Sequence, residues 1–439
     1  MKISRWIVLL AVVTLAGAAP QHADTWPSFR GAFARGVAEG QDLPVSWDVE
    51  SGENIRWRTA IPGTGHSSPV VWEGRVFVTT AVTEGDSSLV LGDEGGIGLS
   101  SDLDQSFSWR LYCIDATTGT VVWSREAHAG RPRANRHVKS SQSNSSPVTD
   151  GATVVAIFGS EGMVAYDFEG TELWRVDLGV VGPGLFNDPS SSWGYASSPV
   201  IHEGRVFIQV DRHADSFVAA YDLASGKQIW KVERNEKPIW ATPTVHVGEG
   251  RTQLIVAGGD FDRGFDLATG EELWRFARDY EVKTTTPVVA GELVLISGGY
   301  RGKAIFGVRT DAEGEVEGEE LVWTSEPGGP YTSTPVAYRE RIYYVRDTGI
   351  FNVLDLATGE RVHRARLEGT YSASAVASDG RIFLAGEDGT VRVMDAEAPY
   401  GELGATDMGA PCMATPAIAA GTLFLRCGSE LFAVSKTGP

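Results

Sequence analysis

Cysteine is nearly missing from this 439-residue chain: Cys113, Cys412 and Cys427 are the only three, too few for a disulfide scaffold. Positive charge is also scarce, with 38 Lys and Arg against 57 Asp and Glu. A surface of that sign repels nucleic acid and anionic lipid, so neither is an expected partner. No apolar run is long enough to cross a bilayer as a helix; the longest, Trp6 to Leu15, falls well short of the ~20 residues required. The chain also lacks a phosphate-cradling glycine loop and a nucleophile elbow with a recognisable triad order. His213 between Asp211 and Asp215 has no second histidine or closing carboxylate at a known ligand spacing, so it reads as a polar loop and no metal is expected.

Glycine is abundant, at 52 residues, and it is patterned. Eight times a Ser/Thr-Pro-hydrophobic step recurs: Ser67-Ser68-Pro69, Ser145-Ser146-Pro147, Ser197-Ser198-Pro199, Ala241-Thr242-Pro243, Thr285-Thr286-Pro287, Ser333-Thr334-Pro335, the degenerate Ala373-Ser374-Ala375, and Ala414-Thr415-Pro416. After several of these comes an Asp-x-x-x-Gly turn with a tryptophan four residues further on, as in Asp115, Gly119, Trp123, in Asp222, Gly226, Trp230 and in Asp266, Gly270, Trp274, with a shortened copy at Asp167, Gly170, Trp174. β-Branched and aromatic runs such as Arg75-Val76-Phe77-Val78 follow the prolines and read as strands, separated by minimal turns such as Glu73-Gly74 and Glu203-Gly204. Short strands in units of roughly 40–50 residues specify propeller blades. The fold class is therefore all-β, an eight-bladed β-propeller of four-stranded antiparallel blades, in which each tryptophan fills the gap between neighbours.

The last unit ends after Leu431-Phe432-Ala433-Val434, one strand short, and Asn54 to Arg58, with Trp57 in the docking position, supplies the missing strand. An N-terminal strand thus closes the ring and removes its free edges. The expected organisation is a signal peptide over 1–18, an extended segment over 19–53 and the propeller over 54–439. Lys2 and Arg5, the apolar run and Ala16-Gly17-Ala18 are the three parts of a secretory signal. Its removal leaves 36 of the 38 Lys and Arg against 57 acids, a net charge near −21. The mature protein is expected in the periplasm or outside the cell, as a monomer. Cys412 and Cys427 flank the Ala420-Gly421 hairpin and are either bridged across two strands or left, like Cys113, as buried thiols.

The Asp-x-x-x-Gly-x-x-x-Trp units resemble the tryptophan-docking repeats of the pyrroloquinoline quinone (PQQ) propeller superfamily, over essentially the whole mature chain. Trp26-Pro27-Ser28-Phe29-Arg30-Gly31, Trp193-Gly194-Tyr195-Ala196-Ser197-Ser198-Pro199 and Cys412-Met413-Ala414-Thr415-Pro416 resemble a secreted branch of PQQ-like repeat proteins. Two functions follow from the resemblance. One is a binding scaffold, as in the scaffold lipoprotein of the outer-membrane β-barrel assembly machinery, from which this chain departs by having no lipid-acceptor cysteine. The other is a small quinoprotein oxidoreductase using PQQ with calcium; such enzymes carry an adjacent cysteine pair over the quinone, and no Cys-Cys occurs here. No cofactor and no catalytic residue is therefore expected.

Insertions point to the working surface. The connections that enter inner strands and those between second and third strands share one face of a propeller, and 82–108, 124–144, 175–195 and 211–216 all fall there, making it the expected site for a protein or polymeric ligand. On it, Arg131, Arg133, Arg136, His137 and Lys139 form a cationic island suited to a carboxylate or acidic segment, unless they neutralise acidic neighbours. Trp193, Tyr195, Trp240 and Tyr331 precede inner strands near the channel mouth, where they either receive a ligand or pack loops; Lys283 and His66 hold comparable entry positions. The acidic stretch 310–320 on the opposite face is expected to be a solvated, mobile excursion.

Overall fold

The Pro steps start strands. In the computed structural model, which describes residues 23–436 apart from 86, 92–97, 99–101, 186, 189–190, 279–280, 301–303 and 327, each of the first seven steps is followed by a short inner strand and three further antiparallel ones, and the eighth by an inner strand and two. The signal segment 1–18 lies outside the described residues. Blade 1 is built from Val70–Trp72, Arg75–Val82, Phe107–Asp115 and Val121–Gly130, blade 2 from Val148–Thr149, Thr153–Ile157, Met163–Asp167 and Glu172–Val176, and blade 3 from Val200–His202, Arg205–Val210, Ser216–Asp222 and Gln228–Arg234. Blade 4 comprises Thr244–Gly248, Arg251–Val256, Phe261–Asp266 and Glu272–Ala277; blade 5, Val288–Ala290, Leu293–Ser297, Ile305–Arg309 and Leu321–Ser325. Blade 6 comprises Val336–Tyr338, Arg341–Val345, Ile350–Asp355 and Arg361–Arg366; blade 7, Val376–Ser378, Arg381–Ala385, Thr390–Asp395 and Glu402–Asp407. In blade 8, Ala417–Ala419, Thr422–Cys427 and Glu430–Val434 are completed by Ile55–Ala60, which pairs antiparallel with the last strand.

Tryptophans wedge the blades together. Trp57, Trp123, Trp174 and Trp323 each donate from Nε1 to a carbonyl on the next blade, Ala116, Phe168, Leu223 and Leu356, at 2.8–3.0 Å, and Trp230 reaches Leu267 at 3.3 Å. Each acceptor directly follows the aspartate of a turn whose carboxylate caps the backbone, as Asp115 Oδ1 does for Thr117 and Thr118 N–H at 3.0 and 2.9 Å. The turn's glycine is required twice over. At Gly119 φ is +73°, and a Cβ there would sit 2.6 Å from the Trp57 indole.

A second blade-to-blade lattice explains why serine or threonine precedes each proline. At six junctions the backbone N–H of that residue donates at 2.9–3.1 Å to the hydroxyl of its counterpart one blade on, from Ser68 to Ser146, Ser146 to Ser198, Ser198 to Thr242, Thr286 to Thr334, Thr334 to Ser374 and Ser374 to Thr415. Between blades 8 and 1 the buried Arg426 does the joining, donating to Ser67 Oγ at 3.1 Å and Thr79 O at 2.6 Å.

The N-terminal segment does more than lead into the closing strand. Thr25–Trp26 adds a fifth, innermost strand to blade 1, and the Pro27 carbonyl accepts Thr149 N–H of blade 2 at 2.9 Å. Three residues on, the fully buried Arg30 donates to the carbonyls of Pro335 and Ala375 at 2.7 and 2.8 Å, in blades 6 and 7. The chain therefore crosses the central channel. It continues along the ring, where Asp379 accepts the N–H groups of Gly40, Gln41 and Asp42 at 2.6–2.8 Å, and Trp47 is buried against Met408.

The acidic stretch 310–320 is not a free excursion. Gly314–Glu315 pairs in parallel with Trp274–Arg275 of blade 4, and Ala312 and Val316 are buried in the apolar cluster around Trp274 and Phe306, so its alternating small apolar residues tie it down. Cys412 and Cys427 are joined as a disulfide, with Cα atoms 4.1 Å apart, and Cys113 is a buried free thiol.

Candidate functional site

Because inner strands radiate from the axis, the residues that enter them ring a central space. One end is crossed by the N-terminal segment, with Phe29 in the wall, and the remaining space is a cup of about 860 Å³ opening among the entry loops and the second-to-third-strand hairpin tips. The insertions are on this face. The pre-proline residues Ser68, Ser146, Ser198, Thr242, Thr334 and Thr415, with the equivalent Ser374, form part of its wall.

Five of the ten expected ligand-binding residues line the cup: His137, Lys139, Trp193, Trp240 and Tyr331. The Trp193 and Trp240 rings stack at 5.6 Å with 27° between planes, and His137 meets Trp193 edge-on at 5.2 Å. Gly194, between Trp193 and Tyr195, accepts the Trp240 indole N–H at 2.8 Å, which fixes the pair. Across the mouth, Tyr331 packs against Tyr300 at 5.5 Å. Lys139 spans from the blade 1–2 connection to Glu387 at the tip of blade 7, at 2.9 Å, and its carbonyl meets His66 Nε2 at 2.9 Å. Burial holds the His66 imidazole down at about 4.

The other five are elsewhere. Arg136 is buried and bonded to Asp102 at 2.5 Å and to the Ser140 carbonyl at 2.7 Å, which clamps the two long insertions together. Arg133 meets Asp177 at 2.9 Å and the Ser160 carbonyl at 2.7 Å. Arg131, the most exposed, has Asp104 at 4.0 Å. The three arginines of the cationic island thus each have a carboxylate nearby; the buried Arg136 requires its partner, whereas the exposed Arg131 and Arg133 pairs are weak surface contacts. Tyr195 is buried with its hydroxyl on the Gln209 carbonyl at 2.7 Å, and Lys283 is buried on Asp262, away from the cup. Asp262 belongs to a closed set with Arg234 against Asp211 and Arg263 against Glu236. Within it, burial raises Asp211 to about 6.

Sequence reasoning missed Phe29, Arg346, Asp347 and Glu387. Arg346-Asp347-Thr348-Gly349 and Glu387-Asp388-Gly389 occupy the same hairpin tip in blades 6 and 7. Short polar tips of this kind carry no local sequence signal that sets them apart from solvated turns. Glu387 also accepts Ser372 and Thr370 hydroxyls at 2.5 and 3.1 Å, and Asp347 accepts Thr332 Oγ1 at 3.0 Å while burial raises its pKa. Among the described residues, the Arg346 guanidinium makes no hydrogen bond or ion pair, although its residue lines the cup.

A sequence profile described as outer membrane protein assembly factor BamB matches residues 35–209, 214–313 and 312–438. Among solved structures, the chain is similar to BamB from Moraxella catarrhalis, at 12% identity and TM-score 0.55 over 82% of this chain and all of that one. It is also similar to the quinohemoprotein alcohol dehydrogenase from Comamonas testosteroni, at 11% identity and TM-score 0.66 over 95% of this chain and 81% of that one. A europium-containing methanol dehydrogenase gives 10% identity and TM-score 0.65 over 94% and 98%. At such identities these likenesses describe the fold. The comparison with curated proteins returned no match.

Proposed function

From the premise that this chain belongs to the outer membrane protein assembly factor BamB family, we propose that it is an exported, non-catalytic propeller that takes a ligand or partner segment into its axial cup from the loop-rich face. The observation that carries this reading is the crossing of the channel by residues 27–30, which leaves the cup one open end, the one the insertions surround. A pre-formed concavity with aromatic and hydroxyl walls needs no further ordering to bind. The Cys412–Cys427 disulfide supports an oxidising compartment, in keeping with the basic and apolar N-terminal residues.

A quinoprotein oxidoreductase is the second reading, favoured by the stacked Trp193 and Trp240 in the cup wall. The donor set fits it poorly. Among the described residues no three His, Cys, Asp or Glu side chains converge as metal ligands, and of the cup's carboxylates Glu387 and Asp347 are engaged by Lys139, Ser372, Thr370 and Thr332 while Glu281 is not without a partner. A titration separates the two readings: PQQ with calcium added to the purified protein is expected to give no saturable quenching of tryptophan fluorescence. Tight binding with dye reduction by alcohols overturns the binding-only assignment.

A further inference from the structure

The cup is rich in donors that have no acceptor. Six hydroxyls of the repeat step, the pre-proline Ser146, Ser198, Thr242, Thr334 and Thr415 and the equivalent Ser374, each accept one backbone N–H and, among the described residues, donate to nothing. A hydroxyl used in that way keeps its proton for a further bond. Among the described residues the Trp193 indole N–H is likewise buried without a partner, and the Arg346 guanidinium adds five more donors and a wall charge that no described carboxylate engages. Carboxylate acceptors, by contrast, are engaged among the described residues: Glu387 by Lys139, Ser372 and Thr370, Asp347 by Thr332, and Glu281, the third lining carboxylate, is not without a partner.

A ligand that fits such a wall presents many oxygens, little net need for carboxylate acceptors, one negative charge and flat apolar faces. Peptide backbone also supplies acceptors, but its planar amides lack the C–H faces that lie flat on aromatic rings. A planar polyanion requires several free cations, and Lys139 is engaged by Glu387. Saccharide rings offer hydroxyl and ether oxygens together with C–H faces that lie on aromatic rings, here Tyr300, which is 45% exposed, with Tyr331 beside it, and the Trp193–Trp240 stack. The volume of about 860 Å³ lies within the range of small-ligand sites, roughly 300–1,000 Å³.

We propose that the axial cup binds a short acidic oligosaccharide, with Arg346 pairing its carboxylate, the hydroxyl ring donating to its oxygens and the two aromatic pairs receiving its rings. This rests on the binding reading above and names its ligand class. Bidentate arginine–carboxylate pairing accounts for the charge, and a lysine in its place supplies only a point charge.

The test is an oligosaccharide array carrying neutral and uronic-acid chains, followed by calorimetry of the mature protein with trigalacturonate and with maltotriose. Saturable one-to-one binding of trigalacturonate, weaker binding of maltotriose, and about 10- to 100-fold weaker trigalacturonate binding by Arg346→Ala with partial recovery in Arg346→Lys are expected, from a charge-assisted bond of about 1.5–3 kcal/mol. Tyr300→Ala, on an exposed ring, weakens both sugars. Retention of no saccharide, or equal binding of the neutral and acidic trimers, overturns the proposal. Arg346-dependent binding of hexaglutamate without any sugar overturns the saccharide and keeps the binding cup; saturable PQQ binding with turnover overturns both.

Discussion

Replacing Trp57 with alanine removes the wedge at the one junction where the two ends of the chain meet. The ring is buried to 8% exposure against Phe424, at 5.9 Å between centroids, and its Nε1 donates to the Ala116 carbonyl at 2.9 Å. An aromatic of this class buries ~150–250 Å², which at ~25 cal/mol/Å² is worth about 4–6 kcal/mol, and core deletions of such rings cost about 3–5 kcal/mol. We expect a loss of about 4 kcal/mol, or roughly a thousandfold in the folded-to-unfolded ratio. Trp174→Ala is the control: it loses an equivalent bond, to Leu223 at 2.8 Å, at a junction within the continuous chain. Both variants should melt earlier in calorimetry, and only Trp57→Ala should release the 54–60 strand to limited proteolysis before global unfolding. Trp57→Ala within about 1 kcal/mol of wild type, or equal proteolysis of the two variants, refutes closure by this strand.

Three further outcomes follow from the same structure. The pair Cys412→Ser with Cys427→Ser opens a loop of separation 15 and should lower stability by about 3 kcal/mol in urea denaturation, with reductant having the same effect on the wild type alone. Asp379→Ala strips the acceptor from three N–H groups of 40–42 and should expose that stretch to proteolysis at a cost of about 1–3 kcal/mol. For His66, folded near 4 against 6.5 unfolded, the unfolded chain takes up the proton first; its contribution is full above 6.5 and is lost as pH falls toward 4. Asp211, folded near 6 against 3.8, runs the other way, full below 3.8 and lost as pH rises to 6. His66→Gln should therefore lose less stability than wild type between pH 6.5 and 4, and Asp211→Asn should remove the opposing slope.

The blades were legible because their signals are local: a Pro step, a β-branched run, a glycine turn and a tryptophan lie within one unit. Closure by Ile55–Ala60 was legible from a counting argument, since the eighth unit stops one strand short. What escaped was long-range. Nothing near Arg30 in sequence announces the Pro335 and Ala375 carbonyls, and no local pattern joins Lys139 to Glu387, 248 positions away. Arg136 and Lys283 were placed on the right face, yet their carboxylate partners, Asp102 and Asp262, turn them inward. The acidity of 310–320 suggested solvation, but Ala312 and Val316 supply the apolar contacts that bind the stretch to blade 4. The pre-proline hydroxyls were read as repeat markers, whereas the structure uses them as hydrogen-bond acceptors around the axis.

The cup exists because the N-terminal segment floors the channel, and hydrogen exchange on peptides covering residues 26–38 tests that directly. Ala38 N–H bonds to the Ala377 carbonyl at 3.0 Å and Ala377 N–H returns to Gly36 at 2.8 Å, so these peptides should exchange as slowly as the core strands of blades 6 and 7. Exchange at the rate of a free tail would mean an open channel, with no cup for a ligand to occupy.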